Sequence, residues 1–207
     1  GQSAAVRPGN TDNNNITLPD TTVYNVAIDQ SIVYKGATGD LLADWAMRMW
    51  AEDLQPTIPD DLKPSTTDGV PAIETHGAVN LQRYWNPKHN PARWQHLVHY
   101  TIGYGTDAYT WPSAPKWDLV NDDNYGGDYT KLVQNTVAWV PTTFGNLNAD
   151  NPAELWHMAI NSRGKFYPTG PGRKYTLQDA FKKIIENINL QNTADATSVP
   201  ASASTNI

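Results

Sequence analysis

Apolar residues recur at helical spacing in one stretch of the chain, and a second stretch begins with the residues typical of a helix N-terminus. Residues 41–54, LLADWAMRMWAEDL, place Leu, Trp and Met near positions i, i+4 and i+8, and Pro56 follows the stretch. This spacing puts the apolar side chains on one face of a helix, which a proline terminates. Residues 152–161 follow Asn151, a suitable N-cap, and hold Pro152 in the first turn, where proline is tolerated. Both stretches are predicted to be helices of the packed scaffold.

A third helix is predicted near the end of the chain, over residues 176–190. Thr176 is followed three residues later by Asp179, and the pair resembles a capping box, in which side chains bond the free backbone N–H groups of the first turn. Five apolar residues of this helix share one face and are called the C-terminal stripe: Leu177, Phe181, Ile184, Ile185 and Ile188. The stripe marks this helix as another part of the scaffold.

Strands are predicted between these helices. Residues 95–104, QHLVHYTIGY, are rich in β-branched and aromatic residues and end at Gly105. Their apolar residues fall on both faces, which suits a buried strand of a parallel sheet. Residues 165–167 predict a second, short strand, and residues 23–33 a strand followed by a turn. The alternation indicates an α/β fold, but the elements are few for 207 residues, which indicates an incomplete domain.

Three stretches lack this periodicity. Residues 1–22 are polar and are interpreted as loop or disorder. Residues 55–93 contain six prolines and residues 105–150 are rich in aromatic residues, so both are predicted to be irregular, exposed loops that carry recognition. Six rings in these loops are candidate partner-binding residues: Tyr84, Trp85, Trp111, Trp117, Tyr125 and Tyr129. The alternative is that the rings pin the loops onto the scaffold.

Composition and charge exclude several classes of protein. The chain has 15 Lys and Arg against 21 Asp and Glu, with a net charge of −6 and no basic stripe, so nucleic acid is not an expected partner. No apolar run approaches the length that spans a bilayer. The absence of cysteine excludes disulfides, thiolate zinc sites and a cysteine nucleophile.

Acidic and amide side chains cluster around Gly126 and Gly127. Oxygen ligands at a sharp glycine turn are what a Ca²⁺ loop requires, and the candidate ligands are Asp118, Asp122, Asn124 and Asp128. The closing bidentate Glu of an EF-hand is absent, because Val133 stands at that position. The alternative is a solvated acidic turn.

Sequence motifs of catalysis are missing from the chain. There is no Gly-x-Ser-x-Gly, no His-Glu-x-x-His and no phosphate loop. The chain is therefore predicted not to be an enzyme. A rival hypothesis is a secreted carbohydrate-binding module or hydrolase, because eight Trp, five His and many Asp offer stacking surfaces and acid–base groups.

Three segments, taken in order, resemble the type IV pilus tip adhesin family, the PilC/PilY proteins. They are LLADWAMRMWAEDLQP at 41–56, WQHLVHYTIGYG at 94–105 and ELWHMAINSRGKFY at 154–167. The tail TADATSVPASAST, residues 193–205, is similar to the Ala/Ser-rich linker that leads into the family's β-propeller. Each segment is short, and their order along the chain makes the resemblance specific.

The resemblance implies a fold and a domain organisation. It implies a partial von Willebrand factor A-like (Rossmann-like) three-layer domain with long irregular insertions. Residues 1–40 would be an upstream loop, 41–190 the C-terminal part of this domain, and 191–207 the linker towards a C-terminal β-propeller outside the chain. A companion segment, the upstream half of the same domain, is expected to complete the sheet, since parallel strands are covered on both edges and both faces.

The resemblance also implies a metal and a biological role. The complete domain is expected to hold Mg²⁺ or Ca²⁺ through an Asp-x-Ser-x-Ser turn; Asp29-Gln30-Ser31 imitates it, but Val33 replaces the second Ser. The implied role is a pilus-tip adhesin and assembly module for surface attachment and type IV pilus biogenesis. Its implied partners are minor pilins, the C-terminal β-propeller and a host or abiotic surface. Its implied location is extracellular, at the pilus tip or bacterial cell surface, reached via the periplasm.

Overall fold

A computed structural model describes residues 7–28, 32–66, 69–105, 108, 111, 113–140, 151–171 and 173–193. The α-helices in these ranges are α1 (Leu42–Ala51), α2 (Tyr129–Val133), α3 (Asn151–Asn161) and α4 (Leu177–Thr193). The strands pair two by two: β1 (Ile16–Thr17) with β2 (Val23–Tyr24), β3 (Ser65–Thr66) with β6 (His89–Asn90), β4 (Ile73–His76) with β5 (Val79–Gln82), and β7 (Thr101–Tyr104) with β8 (Phe166–Thr169). The first three pairs are antiparallel and β7–β8 is parallel.

All three predicted helices are present, with shifted ends. The first is α1, which begins where the Asp44 carboxylate accepts the Leu41 N–H and ends at Ala51, three residues before the predicted end. The predicted capping box of α4 is confirmed: Asp179 Oδ2 accepts the Thr176 N–H at 3.0 Å, and the Asp179 N–H donates to Thr176 Oγ1 at 3.2 Å. Local sequence signals therefore located these helices, as capping and periodicity allow.

The predicted strand at 95–104 is wrong in its first half, because β7 comprises only Thr101–Tyr104. The preceding backbone is bonded to helices instead of to a strand. The Leu97 N–H donates to Met49 O at 3.1 Å, and the His99 N–H donates to Ser162 Oγ at 2.9 Å. These bonds hold residues 95–100 between α1 and the end of α3, where no sheet ladder forms.

The β7–β8 pair lies between two helices and confirms the α/β class in coarse outline. Successive residues of a strand point to opposite faces. Phe166 points to the α3 side, where Trp111 contacts both Phe166 and Trp156 of α3. Tyr167 points to the other side, where Asn187 of α4 donates to its hydroxyl at 2.7 Å. The two strands thus form the middle of a local three-layer arrangement.

The interpretation of residues 1–22 as loop or disorder holds for most of the described residues 7–22, which are irregular, and is wrong for the 3₁₀ turn at Thr11–Asn13 and for strand β1. Residues 16–24 form the β1–β2 hairpin, and Leu18 and Tyr24 are buried in the main core with α1. The Tyr24 hydroxyl donates to Asp12 O at 2.6 Å. The described part of the predicted upstream loop is therefore packed into the same core as the scaffold helices. Asp29-Gln30-Ser31 and the predicted linker beyond residue 193 lie outside the described residues.

Candidate functional site

The three segments that carry the family resemblance meet at one place in the fold. The Trp94 indole packs edge-on against Trp50 of α1 with ring centroids 5.6 Å apart, and its Nε1–H donates to Trp50 O at 2.8 Å. The third segment joins through Ser162, whose Oγ accepts the His99 N–H. Gly164 follows, and a Cβ there would lie 1.9 Å from His99 O, so only glycine fits. The resemblance therefore traces a packed centre instead of an exposed patch.

A buried arginine occupies this centre. Arg163 adopts a left-handed backbone conformation with φ of 66°, directly after α3. Its guanidinium carbon lies 3.8 Å from the centroid of the Trp50 ring and 4.2 Å from that of Tyr34. Nη1 donates to Asn161 O at 2.9 Å, while Nε and Nη2 have no hydrogen-bond partner among the described residues. Burial lowers the pKa of Arg163, and the two aromatic faces supply the cation–π attraction that offsets part of that cost.

A second polar group, centred on Asp12, is linked to this arginine through Asn161, whose carbonyl accepts from Arg163 and whose side-chain amide donates to Asp12. Asp12 Oδ1 accepts the Gly36 N–H at 2.9 Å, and Oδ2 accepts the Asn161 amide at 3.0 Å. Burial, reinforced by the carboxylate of Asp44, raises the pKa of Asp12 to about 8. Asp12 is therefore largely protonated at pH 7 and serves to join the N-terminal segment to α3.

The histidine next to Asp12 is also neutral. His157 Nε2 lies 3.4 Å from Asp12 Oδ2 and 2.5 Å from Tyr34 O. A carbonyl oxygen only accepts, so Nε2 carries the ring proton. The ring stacks on Trp139 at 4.3 Å with an interplanar angle of 11°, and burial lowers the pKa of His157 to about 3. Asp12 and His157 are residue types that can act as a general acid and base, but both are buried and His157 stacks on Trp139. This environment is typical of residues with a structural role.

Two of the six candidate partner-binding rings are in the core, and the prediction that they are exposed is wrong. Trp117 is 3% exposed and packs edge-on against Phe166 at 5.7 Å. Tyr129 is fully buried and contacts the rings of Tyr125 at 5.3 Å and His76 at 5.7 Å. The long loops therefore fold back onto the scaffold and bury these two rings together with aliphatic residues of their own, such as Leu132 and Val133.

The other four rings are half-buried at the border of the core. Tyr84 and Trp85 pack edge-on at 4.8 Å, and the Tyr84 hydroxyl donates to Asp20 Oδ2 at 2.6 Å. Trp111 contacts Trp156, and Tyr125 contacts Tyr129. These rings keep part of their surface accessible, and their role in binding a partner stays a prediction.

Asn124, one of the four candidate calcium ligands, is instead a backbone partner of β8. Its Oδ1 accepts the Phe166 N–H at 2.7 Å, and its Nδ2 donates to Phe166 O at 3.0 Å. Its own carbonyl accepts the Trp156 indole N–H at 3.1 Å. Both ends of the side-chain amide are therefore occupied. The sequence showed an oxygen ligand in an acidic turn, but no local signal indicated pairing with a strand 42 residues away.

The three carboxylates of the predicted calcium loop each have protein partners. Asp118 accepts the backbone N–H groups of Val120 and Asn121, and Asp122 pairs with Arg173. Asp128 accepts the Lys116 N–H at 2.8 Å and pairs with Lys131 at 2.7 Å. Within the described residues, no three acidic or histidine side chains lie close enough to hold a metal ion. The acidic turn is therefore closed by internal hydrogen bonds and ion pairs, and calcium binding by its carboxylates stays a prediction.

Comparison with known proteins gives the family. The chain is 36% identical over 199 residues to the type IV pilus biogenesis factor PilY1 of Pseudomonas aeruginosa strain UCBPP-PA14, a match that covers 96% of this chain. The PilY1 proteins of strains PAK and PAO1 are 34% identical over 181 residues, or 87% of this chain. The chain belongs to the PilY1 family.

The match covers only part of the PilY1 relatives. The chain spans 16% of the strain UCBPP-PA14 protein and 14% of the other two. No protein-family profile and no solved structure matches the chain, so the von Willebrand factor A-like assignment stays a prediction. None of the three PilY1 matches supports the rival hypothesis of a hydrolase or carbohydrate-binding module. In the part that the structure describes, no helix is long and apolar enough to cross a membrane.

Proposed function

We propose that this chain is a non-enzymatic module of a pilus-tip protein that acts in type IV pilus biogenesis and surface attachment. The observation that carries the proposal is the 36% sequence identity between this chain and a PilY1 biogenesis factor over 96% of the chain. The three segments that carry the family resemblance form the buried centre around Arg163, so in this proposal they act as a scaffold. In this proposal the scaffold presents loops, and the rest of the protein supplies the other functions.

The chemistry of the buried groups supports a non-enzymatic module. A catalytic acid or base must reach a substrate, whereas Asp12 and His157 are enclosed by Trp139 and the N-terminal segment. Arg163, whose side chain is buried, has its guanidinium against two aromatic rings. Each of these groups joins two parts of the chain, which is the task of a structural residue.

The loop at residues 55–93 is the proposed contact surface. Its β4–β5 hairpin carries Ile73, which is 55% exposed, at the edge of a shallow depression formed with Gln82, Arg83 and Tyr84. An exposed apolar residue beside an arginine and a tyrosine is a common composition at protein interfaces. Ile73 was not among the sequence candidates, because an isolated apolar residue in a polar hairpin carries no periodic signal.

The proposal places the module outside the cell, at the pilus tip or bacterial surface, reached via the periplasm. Minor pilins, a C-terminal β-propeller and a host or abiotic surface are its proposed partners. A Mg²⁺ or Ca²⁺ ion in the complete domain stays a prediction, and its ligands are expected from segments other than the acidic turn at 118–128.

The test uses the full-length protein in its native bacterium. Deleting the gene should abolish or strongly reduce surface pili and attachment, counted by electron microscopy and by adhesion to glass and host cells. Ile73→Asp is then compared with Leu42→Asp, a matched control that is 44% exposed on α1. We expect Ile73→Asp to reduce attachment at least severalfold with pili retained, and Leu42→Asp to change neither. Normal piliation and attachment after gene deletion would refute the proposed function.

A further inference from the structure

The two edges of the β7–β8 pair differ, and the β8 edge is closed. Phe166 directs its N–H and C=O away from β7, and the Asn124 side chain bonds both of them. Pro168, two residues on, faces the same edge and has no N–H to offer. Because a strand cannot add where the polar groups are already paired or missing, the sheet cannot extend beyond β8.

The opposite edge, along β7, is open in the described structure. The Thr101 N–H donates to Lys165 O at 3.0 Å and the Gly105 N–H donates to Thr169 O at 3.1 Å, so residues 101, 103 and 105 face β8. By the alternation of a parallel ladder, Ile102 and Tyr104 direct their N–H and C=O groups outward. Within the described residues β7 pairs only with β8, and the Tyr104 side chain is 75% exposed.

Helix α4 overhangs this open edge. Ala180 is fully buried and marks the line along which α4 contacts the sheet. Lys183, Glu186 and Asn187 lie on one flank of that line, where they line a cleft with residues 122–125 beyond β8. At 100° per residue the C-terminal stripe falls on the opposite flank, beyond β7. Four of its five residues are more than one-third exposed: Leu177, Phe181, Ile185 and Ile188.

We propose that a strand from a part of the same polypeptide outside this chain adds in parallel to the open edge of β7, beneath the C-terminal stripe. The new strand would pair with the backbone of Ile102 and Tyr104, and the side chains of that strand would cover the C-terminal stripe. Both the open edge and the stripe would then be buried. A strand buried on both faces is expected to be rich in Val, Ile and Leu. This inference does not depend on the proposed role in attachment.

The source of the strand follows from pairing and length. The existing pair is parallel, and purely parallel sheets are over-represented among sheets, so a further parallel strand is the expected continuation. A second copy related by a two-fold axis would instead place β7 against β7 in the antiparallel sense. Parallel strands require a long crossover, and the same polypeptide can supply one, since the chain spans only 16% of its PilY1 relative. In α/β proteins a parallel strand is connected to its neighbour through a helix, and such helices cover the faces of the sheet.

The first experiment measures hydrogen exchange of single amides by NMR, in this chain alone and in the natural polypeptide extended on both sides. In the chain alone, the amides of Ile102 and Tyr104 should exchange at least about 100-fold faster than those of Thr101 and Gly105, which β8 protects. In the longer polypeptide all four should be protected. Unprotected Ile102 and Tyr104 amides in the longer polypeptide would overturn the proposal. Protection that appears in this chain alone and grows with its concentration would assign the edge to a second copy instead.

The second experiment uses paired variants of the longer polypeptide. Ile185→Glu should lower its melting temperature by about 5 °C or more, while Lys182→Gln, an equal change in charge on exposed α4 surface outside the stripe, should leave it unchanged. In the chain alone Ile185 is 58% exposed, so Ile185→Glu should have no effect there. Tyr104→Pro should remove the protection of Ile102, and Tyr104→Thr should retain it. Equal effects of Ile185→Glu in both polypeptides would contradict the proposal.

Discussion

Replacing Trp117 by Ala tests the packing of the second long loop most directly. The indole is 3% exposed, belongs to the main core and packs edge-on against Phe166 of β8. The loop closes around it, because the Asp128 N–H donates to Lys116 O at 2.8 Å. Removing the ring leaves a cavity beneath β8 that the surrounding backbone is not free to fill.

The expected magnitude follows from that burial. A Trp→Ala change in a core costs about 3–5 kcal/mol of unfolding free energy, against a total of about 5–15 kcal/mol for a domain. For a chain of this size each kcal/mol corresponds to about 2–4 °C, so the melting temperature should fall by roughly 6–20 °C. The indole Nε1–H has no hydrogen-bond partner among the described residues. Trp117→Phe should therefore lose packing alone, about 1–3 kcal/mol.

The assay is urea denaturation followed by far-UV circular dichroism, which does not depend on the altered tryptophan. Val120→Ala is the control, three residues away and 89% exposed, and it should change stability by less than about 0.5 kcal/mol. A loss below about 1 kcal/mol for Trp117→Ala would refute the burial of this ring. Reduced attachment with unchanged stability would then restore Trp117 as a recognition residue.

Three further changes test the buried centre and the β8 edge. Gly164→Ala puts a Cβ 1.9 Å from His99 O, so the unfolding free energy measured by urea denaturation should fall by about 2–3 kcal/mol or more. A variant of normal stability would contradict this close contact. Asn124→Ala removes the hydrogen-bond partner of the Phe166 N–H and C=O, and should lower the unfolding free energy by about 2–4 kcal/mol. It should also speed hydrogen exchange of the Phe166 amide, and slow exchange would show that this amide has another partner. Asp12, whose pKa is raised to about 8, keeps its proton in the folded state, whereas the unfolded chain releases that proton near pH 4. The unfolding free energy should therefore fall as pH rises from 4 to 8, by at most about 1.4 kcal/mol per pH unit. Asp12→Asn should flatten this slope, and an unchanged slope would assign it to other groups.

The sequence predicted the elements whose signals are local. The helices at 41–54, 152–161 and 176–190 all formed, because capping residues and 3.6-residue periodicity act within a few turns. The strand at 95–104 was only half right, since the backbone of residues 95–100 bonds to α1 and Ser162. A strand propensity describes residues that suit a sheet, and a distant partner decides whether they join one.

In the candidate site too, some features follow from neighbouring residues in the sequence and others from contacts with distant parts of the chain. The order of three short segments was enough to identify the family, because it depends on the letters of the sequence alone. Which aromatic rings are exposed was not encoded locally: Trp117 and Tyr129 are buried by β8 and the β4–β5 hairpin, which are far away in the chain. Asn124 resembled a cation ligand until the fold brought it to the edge of β8.

The sequence by itself determined the helices, the family and the apolar face of α4, since each is written in a short pattern of residues. Only the tertiary structure decided which of these apolar faces and polar groups find partners among the described residues. It buried Asp12 and Arg163 on either side of Asn161, closed the β8 edge with Asn124 and left the C-terminal stripe exposed beside β7. The physical reason is that burial is a property of neighbours in space, and residues separated by a hundred positions become neighbours only when the whole chain folds.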